Sequence, residues 1–166
     1  MKARILVADD HAIIRDGLRK VLDDTGDLMV AGEAVDGHAV LEQVRAAEWD
    51  LVILDLSMPG RNGFDLIRQL RTERAGLPIL VFSMHAEDQY ATRVIRAGAS
   101  GFLSKEDPVE LIVPAVRKVL GGGIYISPGV AERLALEIGH PNEGCRTPAC
   151  PTASSRFSTG WSRASA

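Results

Sequence analysis

Residues 50–66 read DLVILDLSMPGRNGFDL. Four apolar residues, Leu51 to Leu54, stand in a row between two aspartates. An alternating pattern would mean a strand with one wet face. An unbroken apolar run this short means a strand covered on both faces, which is the situation inside a parallel sheet packed between helices. The segment 57–63, SMPGRNG, is dense in turn formers. FDLIRQLRTE, 64–73, then carries apolar residues at helical spacing. A buried strand, a polar loop opening on Asp55 and a helix make one β–α unit.

Four further units flank it. RILVA (4–8) is a strand ending at Asp9. HAIIRDGLRKVLDDTG (11–26) is a helix with Ile13, Ile14, Gly17, Leu18, Val21 and Leu22 expected on its inner face and Gly26 as its stop. LMVAGEA (28–34) is a second strand, and GHAVLEQVRAAEW (37–49) a second helix with Val40, Leu41 and Val44 inward. LPILVFS (77–83) is the fourth strand, with its proline at the edge. AEDQYATRVIRAG (86–98) is a helix closed by Gly98. GFLS (101–104) is the fifth strand. DPVELIVPAVRKVLGGG (107–123) is the fifth helix, with Asp107 expected as N-cap and Pro108 at the first helical position. Pro114 falls inside it, where a regular helix would lose about 3 kcal/mol, so a kink or broken turn is expected. Strict alternation of strand and helix predicts an α/β fold: an open parallel sheet with helices on both faces.

Bulk properties narrow the class. Hydrophobic content of 46% and charged content of 25% suit a soluble globular domain. A net charge of −3 gives no sign of a general nucleic-acid surface. No apolar run approaches the ~20 residues that span a bilayer, and the acids at positions 9 and 10 argue against a signal peptide. Both cysteines, Cys145 and Cys150, lie in the carboxyl-terminal tail and are given no role. The folded body needs no disulfide, and a cytoplasmic location is expected.

In such sheets ligands bind beyond the carboxyl ends of the strands. Asp9 and Asp10 follow the first strand, Asp55 the third, Ser83 the fourth and Lys105 the fifth. If strands one and three are neighbours, three carboxylates converge and repel. A hard divalent cation such as Mg²⁺ resolves this, since it takes oxygen ligands and pairs with carboxylates and phosphate. Lys105 adds a positive point charge and Ser83 a hydroxyl. These groups together suit a phosphoryl group and its metal. No phosphate loop of the nucleotide-binding kind is present, so no nucleotide is needed. Taken singly, each residue has a plainer reading: a helix cap, a surface lysine, a turn serine. His11 reads as a surface histidine near the site, with a ligand role as the weaker alternative.

Four stretches carry a resemblance: VADDH (7–11), ILDLSMPGRNGFDL (53–66), VFS (81–83) and GFLSKED (101–107). Together they resemble the receiver domain of two-component response regulators, over residues 3 to about 121. ADDH and GGGIYISPGVAERL (121–134) are most similar to the NarL/FixJ branch, whose members carry a LuxR-type DNA-binding domain. The resemblance implies a flavodoxin-like (βα)5 receiver with a five-stranded sheet in the order 2-1-3-4-5. It implies that Asp55 is the phosphoacceptor, taking its phosphoryl group from a sensor histidine kinase. Asp9 and Asp10 would hold Mg²⁺ with Asp55 and the backbone carbonyl of Ser57. Lys105 would pair with phosphoryl oxygens and Ser83 would turn to bond the phosphate. Phe102 would change rotamer with Ser83 and alter the surface of helix four, strand five and helix five. Homodimerisation through that surface is a further expectation, with Pro114 bearing on it. DNA would be met only through an output domain.

The expected organisation is a receiver over 1–122, a linker with a short helix over 123–138, and a tail over 139–166. The tail holds no Leu, Ile or Val and eight Ser/Thr from Thr147 onward. It cannot bury enough apolar surface to fold, so disorder is expected. A LuxR-type domain of four helices needs ~45 residues or more, so the chain as written should not read DNA. The tail's Arg, Pro, Ala, Ser, Thr, Gly and Trp match a GC-rich gene read out of frame, and a frameshifted remnant of the output domain is one expectation. Two other functions stand beside a transcription regulator. A stand-alone receiver would signal by protein contact. A haloacid-dehalogenase-like phosphohydrolase would need a second Asp two residues after the nucleophile, where Ser57 stands.

Overall fold

The computed structural model describes residues 1–60, 62–84 and 88–139. Its elements in chain order are β1 (Ala3–Ala8), α1 (Ala12–Asp23), β2 (Leu28–Ala34), α2 (Gly37–Ala46), β3 (Leu51–Leu54), α3 (Gly63–Glu73), β4 (Ile79–Ser83), α4 (Asp88–Ala97), β5 (Gly101–Ser104), a 3₁₀ turn (Val109–Leu111), α5 (Ile112–Leu120), β6 (Tyr125–Ile126) and α6 (Pro128–Gly139). All strands run parallel in one sheet ordered β2-β1-β3-β4-β5-β6. The flavodoxin-like order 2-1-3-4-5 is present, but the sheet has six strands where five were expected. The extra strand comes from the segment read as linker. The tail beyond Gly139 lies outside the described residues.

Apolar-on-both-faces strands explain the layering. Ile5, Val7, Leu51, Ile53, Leu80 and Leu103 face one way and bury Leu18 and Leu22 of α1 with Ile112, Val116 and Val119 of α5. The alternate residues Leu6, Val52, Leu54 and Val81 are equally buried. They face the side where α2, α3 and α4 bury Val40, Leu41, Val44, Leu66, Ile67, Leu70, Ala91 and Val94. Helices thus cover both faces, as the α/β reading requires.

Three local expectations change. Ile13 is 83% exposed and Gly17 is exposed as well. The inner stripe of α1 runs through 14, 18, 21 and 22; position 13 points about 100° away from 14, and position 17 lies at the stripe's edge. Asp107 does not cap α5. Its carboxylate accepts from the Ser104 amide at 3.0 Å, closing a turn after β5. Pro108 accordingly precedes a 3₁₀ turn, and α5 proper starts at Ile112. Pro114 is then in the first turn of α5, where an amide proton has no intrahelical acceptor to lose. The expected broken turn is this 3₁₀–α junction.

Two glycines matter. Gly98 closes α4 with φ at 120°, a left-handed value that a side chain disfavours. Gly101 opens β5 where β6 approaches: a Cβ there would stand 2.8 Å from the Tyr125 carbonyl oxygen. Residues Met1–Val130 form one compact unit, and the β6 pairing belongs to it.

Candidate functional site at the carboxyl edge of the sheet

The sheet's own hydrogen bonds assemble the site. Past the last residue of β1, the Asp9 amide donates to the Ala34 carbonyl at 3.0 Å, and the Asp55 amide donates to the Ala8 carbonyl at 2.9 Å. The two acids therefore end neighbouring strands at one level. Two ladders over, between β4 and β5, the Lys105 amide donates to the Ser83 carbonyl at 2.9 Å. Strand pairing thus brings Asp9, Asp55, Ser83 and Lys105 to a common edge.

Lys105 sits at the centre. Its Nζ lies 2.6 Å from Asp9 Oδ2 and 3.1 Å from Asp55 Oδ2. Asp9 and Asp55 are each 2% exposed, and the Lys105 side chain is nearly as buried. Phe82 places its ring 5.9 Å from Nζ. Asp9 Oδ1 accepts from the His11 amide at 2.8 Å, and Asp55 Oδ1 accepts from the Ser57 amide at 2.9 Å. Burial alone pushes the Asp9 carboxyl up. Hydrogen bonds from Lys105 and His11 more than offset it and hold the pKa below the ordinary 3.8. Burial pulls the Lys105 ammonium down, and its bonds to Asp9 and Asp55 raise it above 10.5. The pair is ionised on both sides at neutral pH.

Asp10 is the exposed member. His11 Nδ1 stands 3.0 Å from Asp10 Oδ1 and 3.0 Å from Asp9 Oδ1. Ligand atoms of Asp9, Asp10, His11 and Asp55 all fall within 4.8 Å of one another. Three carboxylates against one ammonium leave the cluster short of positive charge, and those carboxylates are hard oxygen donors, with the His11 nitrogen beside them. That donor set fits Mg²⁺. Ser83 is fully buried at the end of β4. Phe102 is fully buried in β5, in register with Val81 of β4 and Ile126 of β6.

Two residues at the site were not singled out from sequence. Arg15 donates from Nη1 to the Asp9 carbonyl at 2.8 Å and from Nε to Glu33 Oε1 at 2.7 Å. Its position on an amphipathic helix looks like an ordinary solvated arginine. Glu33 carried a signal: it is an acid inside the otherwise apolar strand LMVAGEA. His11 is an exposed histidine beside the site, as expected, and its Nδ1 touches two of the acids.

Residues 5–117 match the response regulator receiver domain. The chain is 36% identical over 140 residues to response regulator GacA of Pseudomonas aeruginosa, covering 84% of this chain and 65% of that protein. It is 35% identical over 132 residues to response regulator UvrY of Escherichia coli K12, covering 80% and 61%. The chain therefore spans less than two thirds of the length of these curated relatives. Among solved structures, a LuxR-family two-component response regulator from Aurantimonas sp. SI85-9A1 superposes with a TM-score of 0.80 at 33% identity, covering 83% of this chain and 99% of that one. The isolated receiver domain of RcsB from Salmonella enterica, determined with the phosphate mimic BeF₃⁻, gives 0.75 at 25% identity, covering 80% and 98%.

Proposed function

The chain belongs to the response regulator receiver domain family, and from that premise we propose that Asp55 accepts a phosphoryl group from a sensor histidine kinase. The observation that carries this reading is the buried Lys105 ammonium shared between Asp9 and Asp55. It sets a cation 3.1 Å from the attacking carboxylate and gives a transferring phosphoryl group a positive partner.

An Asp55 carboxylate oxygen forms the new P–O bond as the P–N bond to the donor imidazole breaks, and the imidazole leaves with the electron pair and takes up a proton. The chain's contribution is positioning and charge. Lys105 turns from Asp55 toward the phosphoryl oxygens, Asp9 keeps Lys105 in place, and the Ser57 amide orients the attacking carboxylate. Asp9, Asp10, Asp55 and the Ser57 carbonyl would hold Mg²⁺, which when bound offsets phosphoryl charge. Ser83 then bonds the phosphate, and Phe102 follows and repacks the surface of α4, β5 and α5. The chain catalyses only its own phosphorylation and dephosphorylation at Asp55.

The same reading makes the parent protein a cytoplasmic transcription regulator of the NarL/FixJ branch, with the receiver in 1–122, a connector in 123–138 and DNA contacts in an output domain. It also allows a homodimer as the active form. Among the described residues no helix is long and apolar enough to cross a membrane. Acetyl phosphate with Mg²⁺ should add one phosphate to the chain, and Asp55→Asn should abolish it, read by intact-protein mass spectrometry. Undiminished labelling of the variant would sink the assignment.

A further inference from the structure

We propose that Arg15, itself held by Glu33, is a positioning residue for the acidic pair: it fixes the Asp9–Asp10 peptide and so aims Asp10 at the cation site. The inference rests on the Mg²⁺ reading above. The Asp9 carbonyl is the first main-chain acceptor beyond the β1 ladder, and Arg15 Nη1 donates to it at 2.8 Å. That carbonyl shares a peptide plane with the Asp10 amide, so its direction sets where Asp10 starts. Asp10 is the least buried of the three acids, and His11 Nδ1 is the side-chain contact seen on its carboxylate.

Arg15 is in turn fixed. Its Nε donates to Glu33 Oε1 at 2.7 Å, and its side chain is 16% exposed. Glu33 is anchored from β2: Gln43 donates to its backbone carbonyl, and Arg19 pairs with its other carboxylate oxygen. Arg19 otherwise reaches the Val30 carbonyl at 3.1 Å and does not touch Asp9. The chain of contacts runs β2, Glu33, Arg15, Asp9, with Arg19 as a side branch. Residues that orient metal ligands from behind typically matter 10- to 100-fold in metal affinity.

The sign of the effect separates positioning from plain electrostatics. Removing a cation beside a cation site should tighten Mg²⁺ binding by Coulomb's law. Loss of positioning should weaken it. Mg²⁺ titration by calorimetry on the full chain, free of phosphate, is the test. Arg15→Met should bind Mg²⁺ roughly tenfold or more weaker than wild type. Arg19→Met should lose stability but keep wild-type affinity. Arg15→Met/Glu33→Gln should bind no more weakly than Arg15→Met alone, because Glu33 acts through Arg15. The amide resonances of Asp10 and His11 should move in Arg15→Met and stay in Arg19→Met. Unchanged or tighter Mg²⁺ binding in folded Arg15→Met overturns the inference and leaves the metal site standing. An equal loss in Arg19→Met also overturns it, by showing a general structural effect. Absence of Mg²⁺ binding in the wild type overturns the metal reading itself, and this inference with it.

Discussion

Two carboxylates that are each 2% exposed share one ammonium at the carboxyl edge of the sheet. Removing one partner of a buried ion pair costs more than the pair is worth, because the other charge stays buried without compensation. Lys105→Met should therefore lose about 3–5 kcal/mol of stability at about pH 7 in chelator. Lys105 helps hold the Asp9 carboxyl below its ordinary 3.8, and that stabilisation is lost as pH falls through the folded value, so near pH 3 the gap between variant and wild type should narrow. Urea unfolding of both proteins at the two pH values decides it. An equal gap at both would assign the loss to packing of the lysine stem. The same residues show what the sequence could reveal. Asp9, Asp55, Ser83 and Lys105 were legible because each follows a recognisable strand, and strand ends share an edge. Arg15 was not, since its role depends on which carbonyl lies beside it, and that is a property of the folded backbone. Glu33 was half legible, as a charge in an apolar strand whose partner only the fold supplies.

Among the elements, the five expected strands and five helices follow from apolar period and turn chemistry, and they fell within a few residues of their expected bounds. β6 did not, because two residues after GGG carry too little pattern to mark a strand. Its evidence is tertiary. The amides of Tyr125 and Ser127 donate to the carbonyls of Ser100 and Phe102 at 3.1 and 3.2 Å. Gly101 makes room for it, since a Cβ there would meet the Tyr125 carbonyl oxygen at 2.8 Å and Leu80 Cδ1 at 2.9 Å. Backbone cannot yield as a side-chain tip can. Gly101→Val should thus detach β6 and cost about 1–3 kcal/mol. In amide exchange, Tyr125 and Ser127 should lose protection while β1 and β3 keep theirs. Retained protection at those two amides would show that the sheet edge relaxes around the new side chain. The 3₁₀–α junction at Ile112 was half anticipated: Pro114 announced a break, but the place of the break depended on Asp107 turning back to Ser104.

At the scale of the whole molecule, exposed and half-exposed ion pairs tie the sheet's outer strand region to the helices of one face. Glu33 of β2 holds Arg15 and Arg19 of α1, and Asp27, just before β2, meets Arg117 of α5 at 3.0 Å. Hydrogen bonds from Arg19 and then Arg15 keep the Glu33 carboxyl below its ordinary 4.5, and the Arg117 bond does the same for Asp27 below 3.8. A depressed folded-state pKa means the unfolded chain takes up the proton first as pH falls. The stabilisation is complete above the unfolded values of 4.5 and 3.8 and disappears as pH falls through the folded ones. Stability should accordingly hold level from neutrality down to about pH 5 and decline below it. Glu33→Gln removes one of these protons, so its stability should start lower and fall less steeply with acid, by up to one proton in slope. Urea unfolding across the acid range measures both slopes. Identical slopes would mean that Glu33 titrates alike in the folded and unfolded chain, and the α1–β2 clamp would then contribute nothing to acid stability. A steeper fall in the variant would reverse the sign and place the acid sensitivity in other carboxylates.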